Sequence, residues 1–528
     1  MHLTTMLLLA SSLLATAAHL PLRRADTFQN PVLYEDYPDN DISVGPDGAF
    51  YFSASNFHYS PGAPILRSLD LVNWEPVGHS IPRLTFGDGY DLPPGGPRAY
   101  RGGTWASTLR YRESNGLWYW IGCTNFWVTW VFTASDVKGP WSNRGVYGWD
   151  GLCMYDNGLL IDDDDTMYVV YGNGQVKVSQ LSADALSVVK TQQVLQASDV
   201  NTETVEGNRM YKINGTYYIL NDQPGSTTYI WKSSSPWGPY QSKILVQNVA
   251  PPLAGGNSPH QGSLIKTKDG QWYYMSFTWA YPAGRMPVLA PITWGADGFP
   301  ELVKGANGGW GAEYPMPLPE KVLYNWTRTY TFESELGPTW EWNHNPDVAS
   351  YEVNNGVTLK TASVTEDLYS ARNTLTHRIH GEFPKGTVAI DFSNMADGDR
   401  FGLAAFRDQT AYIGIHRVGD TYTLKAVQGL IIDEWSGDPV SNGTEVASAP
   451  VPSSARKVWF RAELDARPTG TRDANFFYSF DGVSFTKLGD TYELYSGWAF
   501  FIAYRFGIFN FATKALGGSV KVESFTAA

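Results

Sequence analysis

The chain of 528 residues is too long for one hydrophobic core, so two or more domains are expected. A charged fraction of 17%, with 52 glycines, 32 prolines, 20 tryptophans and 31 tyrosines, excludes coiled coil and bulk disorder and favours an all-β chain of short strands and tight turns. The net charge of −13 comes with no basic run, which argues against nucleic acid and anionic membranes as partners and leaves a neutral polymer open.

The first segment is "MHLTTMLLLASSLLATAAHLPLRR". Its short apolar run ends in small residues at Ala15, Ala17 and Ala18. That pattern fits a secretory signal peptide over residues 1–18 better than a membrane helix, although no Lys or Arg precedes the apolar run. No later run is long enough to span a bilayer, so a secreted, extracellular protein is expected, and a monomer. Sequons at Asn214, Asn325 and Asn442 are compatible with glycosylation on that route. Two cysteines, Cys123 and Cys153, are too few for a disulfide scaffold; one bridge between them and two buried thiols both fit.

Five segments then share one pattern, a Gly or Asp shortly ahead of a Tyr within an aromatic or β-branched run: "GAFYF", "GLWYW", "DTMYVV", "GTYYIL" and "GQWYYM". Their tyrosines are Tyr51, Tyr119, Tyr168, Tyr218 and Tyr273. Near-regular spacing of about 50 residues with strand-turn-strand units is the signature of propeller blades, so a five-bladed β-propeller is expected over residues 28–320. "INGTYY" and "KDGQWYY" carry the Asn-Gly and Asp-Gly pairs of tight hairpins. The acidic run Asp162 to Asp165 reads as a solvated hairpin tip rather than a calcium loop.

Counting back from the tyrosines finds chemistry. Asp39, Asp156 and Glu206 each lie twelve residues before their tyrosine, and His260 lies thirteen before Tyr273. Equal offsets in a rotationally repeated fold mean equal heights and radii, so three carboxylates and an imidazole converge at one mouth of the central channel. Crowded acids repel one another and shift their pKa values, a cost that solvation of a surface does not require. Two carboxyls flanking a bond, one protonated and one ionised, are the minimal machinery of glycoside hydrolysis, and a third can hold the acid's pKa up.

These stretches resemble glycoside hydrolase family 43, the inverting glycosidases. "NPVLYEDYPDNDISVG" is similar to the family's general-base motif, "YDNGLLIDDDDTMYVVYGN" to that of the pKa-modulating Asp and "TVEGNRMYKINGTYYIL" to that of the general acid. The resemblance implies Asp39 as base, Asp156 as modulator and Glu206 as acid. It also implies Trp105, in "GGTWASTLRYR", and Arg285, in "AYPAGRMPVLAPITW", as sugar-binding residues, and His260, in "HQGSLI", as an axial residue beside a water or a structural calcium. Asp41 competes with Asp39, because strand residues two apart share a face and both would point at the mouth; the offset and the preceding Pro38 favour Asp39. No metal or other cofactor is required by the chemistry.

"SPGAPILRSLDLVNWEPVGHSIPRL", "YDLPPGGPRAY" and "GLLIDDDDTMY" look like fungal α-L-arabinofuranosidases that remove the 3-linked arabinose from doubly substituted xylose of arabinoxylan, a plant cell-wall polysaccharide. Arabinan is a further substrate to consider. From about Thr329 to residue 528, runs such as "GTVAIDFSNM", "FGLAAFRD", "AYIGIHRV", "KVWFRAELDA" and "WAFFIAYRFGIFNF" read as antiparallel strands of a β-sandwich. "GPTWEWNHNP" near its start resembles the entry motif of the family's lectin-like C-terminal domain, which implies a jelly-roll that binds polysaccharide or, the preferred reading, buttresses the pocket. Two alternatives stay open: a β-xylosidase of the same family, sharing the trio, and a non-catalytic carbohydrate-binding propeller, which has no reason to crowd three acids.

Overall fold

A computed structural model describes residues 26–147 and 153–528. The segment read as a signal peptide lies outside the described residues. Among those described, five four-stranded antiparallel sheets form the blades of a propeller. Blade 1 comprises Asp41–Val44, Phe50–Ser53, Gly62–Ser68 and Trp74–Ile81; blade 2 opens with Thr104–Arg112 and blade 3 with Gly158–Ile161. Blade 4 opens with Glu206–Ile213 and blade 5 with His260–Lys266. The opening strands contact one another in the cyclic order of the blades, closing a ring around the axis. Each marker tyrosine lies on the second strand of its blade.

The blade tips use the turn chemistry of their sequences. Asn214 and Gly215 have φ 51° and 79°, the left-handed pair a two-residue hairpin needs. The acidic turn does more than meet solvent: Asp165 pairs with Arg112 of blade 2 at 2.5 Å, and Asp162 with Lys212 of blade 4 at 2.6 Å. Blade 3 is thereby stapled to both neighbours. Cys123 and Cys153 form a disulfide joining the end of blade 2's second strand to the approach of blade 3. Asn214, Asn325 and Asn442 are all exposed.

The second unit is a sandwich of one nine-stranded and one eight-stranded sheet. Alternation drives it: Lys457–Leu464 buries every second side chain, among them Val458, Phe460 and Ala462, against Ile390, Phe401 and Val522 of the same core. The run read as one strand in "WAFFIAYRFGIFNF" is a strand only over Arg505–Ala512. Residues before it form a tight turn in which Phe500 and Phe501 both have φ 57°. The turn diverts the Phe501 ring to the propeller instead of a sheet face.

The units share structure. Tyr59–Ser60 of the propeller is the edge strand of the eight-stranded sheet, paired with Trp342 and Asn343. Behind it the fully buried Glu341 accepts from Arg378 at 2.8 Å and Arg505 at 2.5 Å and meets His79 at 2.9 Å. Burial alone would raise this carboxyl, but the two guanidinium groups hold it well below the usual range. Phe57, Tyr59 and Tyr100 pack with Tyr369, Phe406 and Phe509 in one apolar cluster across the seam.

Candidate active site

Strand register explains how the ring of opening strands presents its chemistry. In blade 4 Glu206 pairs with Asp222, four residues after Tyr218, and in blade 5 His260 pairs with Phe277, four after Tyr273. Extending the blade 1 ladder sets Asp39 against Ser55, and the blade 3 ladder sets Asp156 against Gly172, again four beyond the tyrosine. Trp105 holds the same place in blade 2, against Cys123. A bulge in blades 2, 4 and 5 absorbs the differing hairpin lengths. The shared count of twelve for Glu206 thus combines a short hairpin with a bulge. Trp105 escaped the count because blade 2 has a longer hairpin. The opening ladders of blades 1 and 3 have no bulge; there the acids themselves take the left-handed conformation, Asp39 at φ 59° and Asp156 at φ 46°. Such a backbone costs about 1 kcal/mol or more in a residue with a Cβ, which marks both as held in place by their surroundings.

Asp39 is nearly buried and both its oxygens are engaged. Oδ1 accepts from Arg285 Nη1 at 2.8 Å and Oδ2 from the Ser55 hydroxyl at 2.6 Å. The Arg285 guanidinium lies within 5.3–5.7 Å of the ring centroids of Phe57, Phe277 and Phe501, an aromatic cage that fixes its plane. Beneath, fully buried Arg209 donates to the carbonyls of Asp39 at 3.0 Å and Asn157 at 2.8 Å, tying the backbones of blades 1, 3 and 4 together at the axis.

Glu206 is held differently. Its Oε2 accepts from the Tyr155 hydroxyl at 3.0 Å. Burial pushes the carboxyl up, the Tyr155 hydrogen bond pulls against it, the Asp39 charge adds to burial and Arg285 opposes; the outcome is raised. Asp156 Oδ2 accepts from the Gly207 N–H at 3.0 Å, next to Glu206 in sequence. Burial, then the charges of Glu206 and Asp39, push Asp156 well above the usual carboxylate range. A fourth carboxyl, Asp222, is fully buried opposite Glu206, and neither oxygen has a hydrogen-bond partner among the described residues. Burial, Glu206, Asp156 and Asp39 all raise it. Four acids in one field share fewer charges than acids.

The walls are aromatic. Trp105 sits edge-on to Phe57 at 5.1 Å and to Phe501 at 5.5 Å, and Phe126 stacks on Tyr155 at 5.9 Å. On the far side Trp279 lies between His260 and the sandwich's Trp498, which is half exposed. His260 is buried, its Nδ1 3.0 Å from the Ser258 carbonyl, and burial lowers it to about 4, so it is neutral at ordinary pH.

Asp41 does not share the mouth, contrary to the face-sharing expectation. It is completely buried, with Oδ2 accepting from Thr108, Leu109 N–H and Arg110, and Arg209 beside Oδ1. The left-handed turn at Asp39 breaks the strand geometry that would have aligned residues two apart. Asp41 therefore neutralises Arg110 and Arg209 instead of facing substrate. Among the described residues no group of three or more His, Cys, Asp or Glu side chains is arranged to hold a metal ion.

One carboxyl anchored to a cation, one held up in pKa and a third beside it, between flat apolar faces, can protonate a leaving oxygen and activate water on a sugar ring. Tyr155, Arg209, Asp222 and Phe501 escaped the sequence reading. Asp222 was findable by counting four residues forward from Tyr218; Phe501 was not, because its role is set by a turn inside an apparent strand.

Comparison with known proteins assigns both units to a family. The model of Glycosyl hydrolases family 43 matches residues 28–300, and that of the Beta xylosidase C-terminal Concanavalin A-like domain matches residues 329–527. A β-xylosidase of Formosa agariphila is 27% identical, over 95% of this chain and 90% of its own. A non-reducing end α-L-arabinofuranosidase of Bacteroides ovatus is 32% identical, over 61% of this chain and 62% of its own. A solved family 43 hydrolase, described as engineered to display both endo-xylanase and exo-arabinofuranosidase activity, is 43% identical with a TM-score of 0.91, covering 95% of this chain and 99% of that one.

Proposed function

The chain belongs to glycoside hydrolase family 43, and from that premise we propose that it is a secreted, inverting α-L-arabinofuranosidase that removes 3-linked arabinofuranose from doubly substituted xylose of arabinoxylan, and from arabinan. The observation that carries the chemistry is the set Asp39, Asp156 and Glu206 at one register position of three blades, with Asp39 ion-paired to Arg285. Asp39 takes a proton from a water that attacks the anomeric carbon, while Glu206 gives its proton to the departing oxygen. Asp156, beside Glu206 through the Gly207 N–H, is the modulator that orients that acid, while burial and the Asp39 charge hold the Glu206 pKa up. Inverting pairs leave room for the water, at separations of about 6.5–9.5 Å.

Arabinose specificity is supported by the motif resemblance and by the 43% identity to a hydrolase described with exo-arabinofuranosidase activity. The second reading is a β-xylosidase, favoured by the relative that matches 95% of the chain and by the name of the C-terminal domain family. Secretion and glycosylation rest on the leader pattern and the exposed sequons. The deciding experiment incubates arabinoxylan oligosaccharides bearing one or two arabinoses with wild type and Glu206→Gln and follows the products by NMR. Loss of only the 3-linked arabinose from doubly substituted xylose, released first as the inverted anomer, is the expected result. Xylose release alone would overturn the substrate, and a retained anomer the mechanism.

A further inference from the structure

Asp36 lies three residues before Asp39 and takes no part in the chemistry above, yet it is nine-tenths buried and both its carboxylate oxygens are used. Oδ1 accepts the Arg285 backbone N–H at 2.8 Å, and Oδ2 accepts the Ala503 backbone N–H at 3.1 Å. Three chain segments meet on this one group. The first is its own loop, which ends at Asp39. The second is the propeller strand Arg285–Trp294, whose first side chain grips Asp39 at 2.8 Å. The third is the sandwich turn before Arg505, which places Phe501 against Arg285, with the Phe501 carbonyl 3.5 Å from Arg285 Nη2 and its ring 5.7 Å from the guanidinium.

The surroundings are built for a carboxylate there. A Cβ on Gly284, at φ +104°, would stand 2.5 Å from Asp36 Oδ1 and 2.7 Å from the Ala503 Cβ, so the carboxylate fills the only space between the two donors that a side chain at 284 would take. The Asp36 carbonyl accepts from Arg378 Nε at 3.1 Å, and Arg378 is itself paired with Glu341. Burial raises the Asp36 carboxyl, and the guanidinium groups of Arg285, Arg378 and Arg505, drawn from both units, oppose that rise without cancelling it. The αL backbones of Phe500 and Phe501 are strained conformations that persist only when something else fixes the turn, and the Ala503 N–H donated to Asp36 is such a fixture.

We infer that Asp36 is a positioning residue that locks the sandwich's Phe501 turn and the Arg285 backbone to the loop of the general base, so that the C-terminal unit takes part in the reaction through this carboxylate. The inference rests on the reading of Asp39 as the base. It gives the sandwich a role at the reacting centre that is independent of any polysaccharide it binds on its own surface.

The test uses the full chain and whichever aryl arabinoside or xyloside the wild type cleaves, so a wrong sugar assignment leaves it intact; an Asp39→Asn variant as active as wild type would sink the catalytic reading instead. Asp36→Asn keeps the shape but turns an amide N–H₂ toward one of the two donors. Its kcat is expected to fall about 10- to 100-fold, the scale of a lost charge-assisted hydrogen bond, with a smaller change in KM. In a Phe501→Ala background the same substitution is expected to cost less than about threefold, because the turn it secures no longer carries its ring. Ala503→Pro removes the second donor without touching the acid, and Ile502 before it, at φ −112° and ψ 154°, already has the backbone that precedes proline; it is expected to reproduce the kcat loss and decides the matter if Asp36→Asn fails to fold. Wild-type kcat in both single variants, or losses from Asp36→Asn and Phe501→Ala that multiply in full, would overturn the inference.

Discussion

Blades 1 and 4 offer a carboxyl from the same register position, and their surroundings treat the two groups in opposite ways. Asp39 has a cation and a hydroxyl on its two oxygens, with Arg285 itself caged by three aromatic rings. Glu206 has one phenol, no ion-paired cation among the described residues and two more carboxyls close by. The register position is shared, so the difference lies in the partners and in the local backbone, left-handed at Asp39 and bulged after Glu206. A shared scaffold can therefore make one acid a base and the other a proton donor through what surrounds each.

That contrast can be broken or sharpened by substitution. Arg285→Ala should have the largest effect, since it removes the guanidinium that fixes Asp39 Oδ1 at the reacting centre. Losing one charge-bearing contact there, about 3–4 kcal/mol of transition-state stabilisation, corresponds to about 10²- to 10³-fold in kcat/KM, measured in steady state. Tyr155→Phe acts on the other side of the comparison. It deletes the hydrogen bond that lowers Glu206, so the carboxyl rises further and the alkaline limb of the pH–kcat/KM profile moves to higher pH, with less than about tenfold loss at the optimum. An alkaline limb moving down would assign the proton donor elsewhere.

Asp222→Asn should change activity least and stability most visibly. Asp222 and Asp156 have carboxyls raised in the folded state, so the folded protein holds protons that the unfolded chain releases above the ordinary carboxylate pKa of about 4. Their contribution is fully present below that pH and is lost as pH rises through the folded values. Replacing Asp222 by the neutral isostere removes that loss. The variant should melt a few degrees above wild type at neutral pH, with the gap closing toward pH 4, as read by thermal unfolding across pH. A melting point lower at neutral pH than at pH 4 relative to wild type would show that Asp222 is held by a compensating cation.

The propeller and its trio were legible because rotation repeats a strand unit five times, and a repeat makes position readable without coordinates: Tyr51, Tyr168 and Tyr218 marked the acids by count. The count slipped where chain length was spent outside the pairing: by one residue for His260, through the blade 5 bulge, and by two for Trp105, through the bulge and the longer hairpin after it in blade 2. Asp41 was misplaced for a related reason. Two residues apart means one face only along a regular strand, and φ 59° at Asp39 ends that regularity. The contribution of the sandwich was hidden more deeply. Phe501 sits in an apolar run with every mark of a strand, and a left-handed turn sends its ring across the seam to Arg285, Phe57 and Trp105.

The most direct test of the division of labour uses an aryl glycoside whose leaving group departs without protonation, beside one whose leaving group requires it. Glu206→Gln should lose about 10²- to 10⁴-fold on the second and recover most of that on the first, whereas Asp39→Asn should be equally impaired on both. Recovery in Asp39→Asn, with Glu206→Gln impaired on both, would exchange the two roles and contradict the reading drawn from their surroundings.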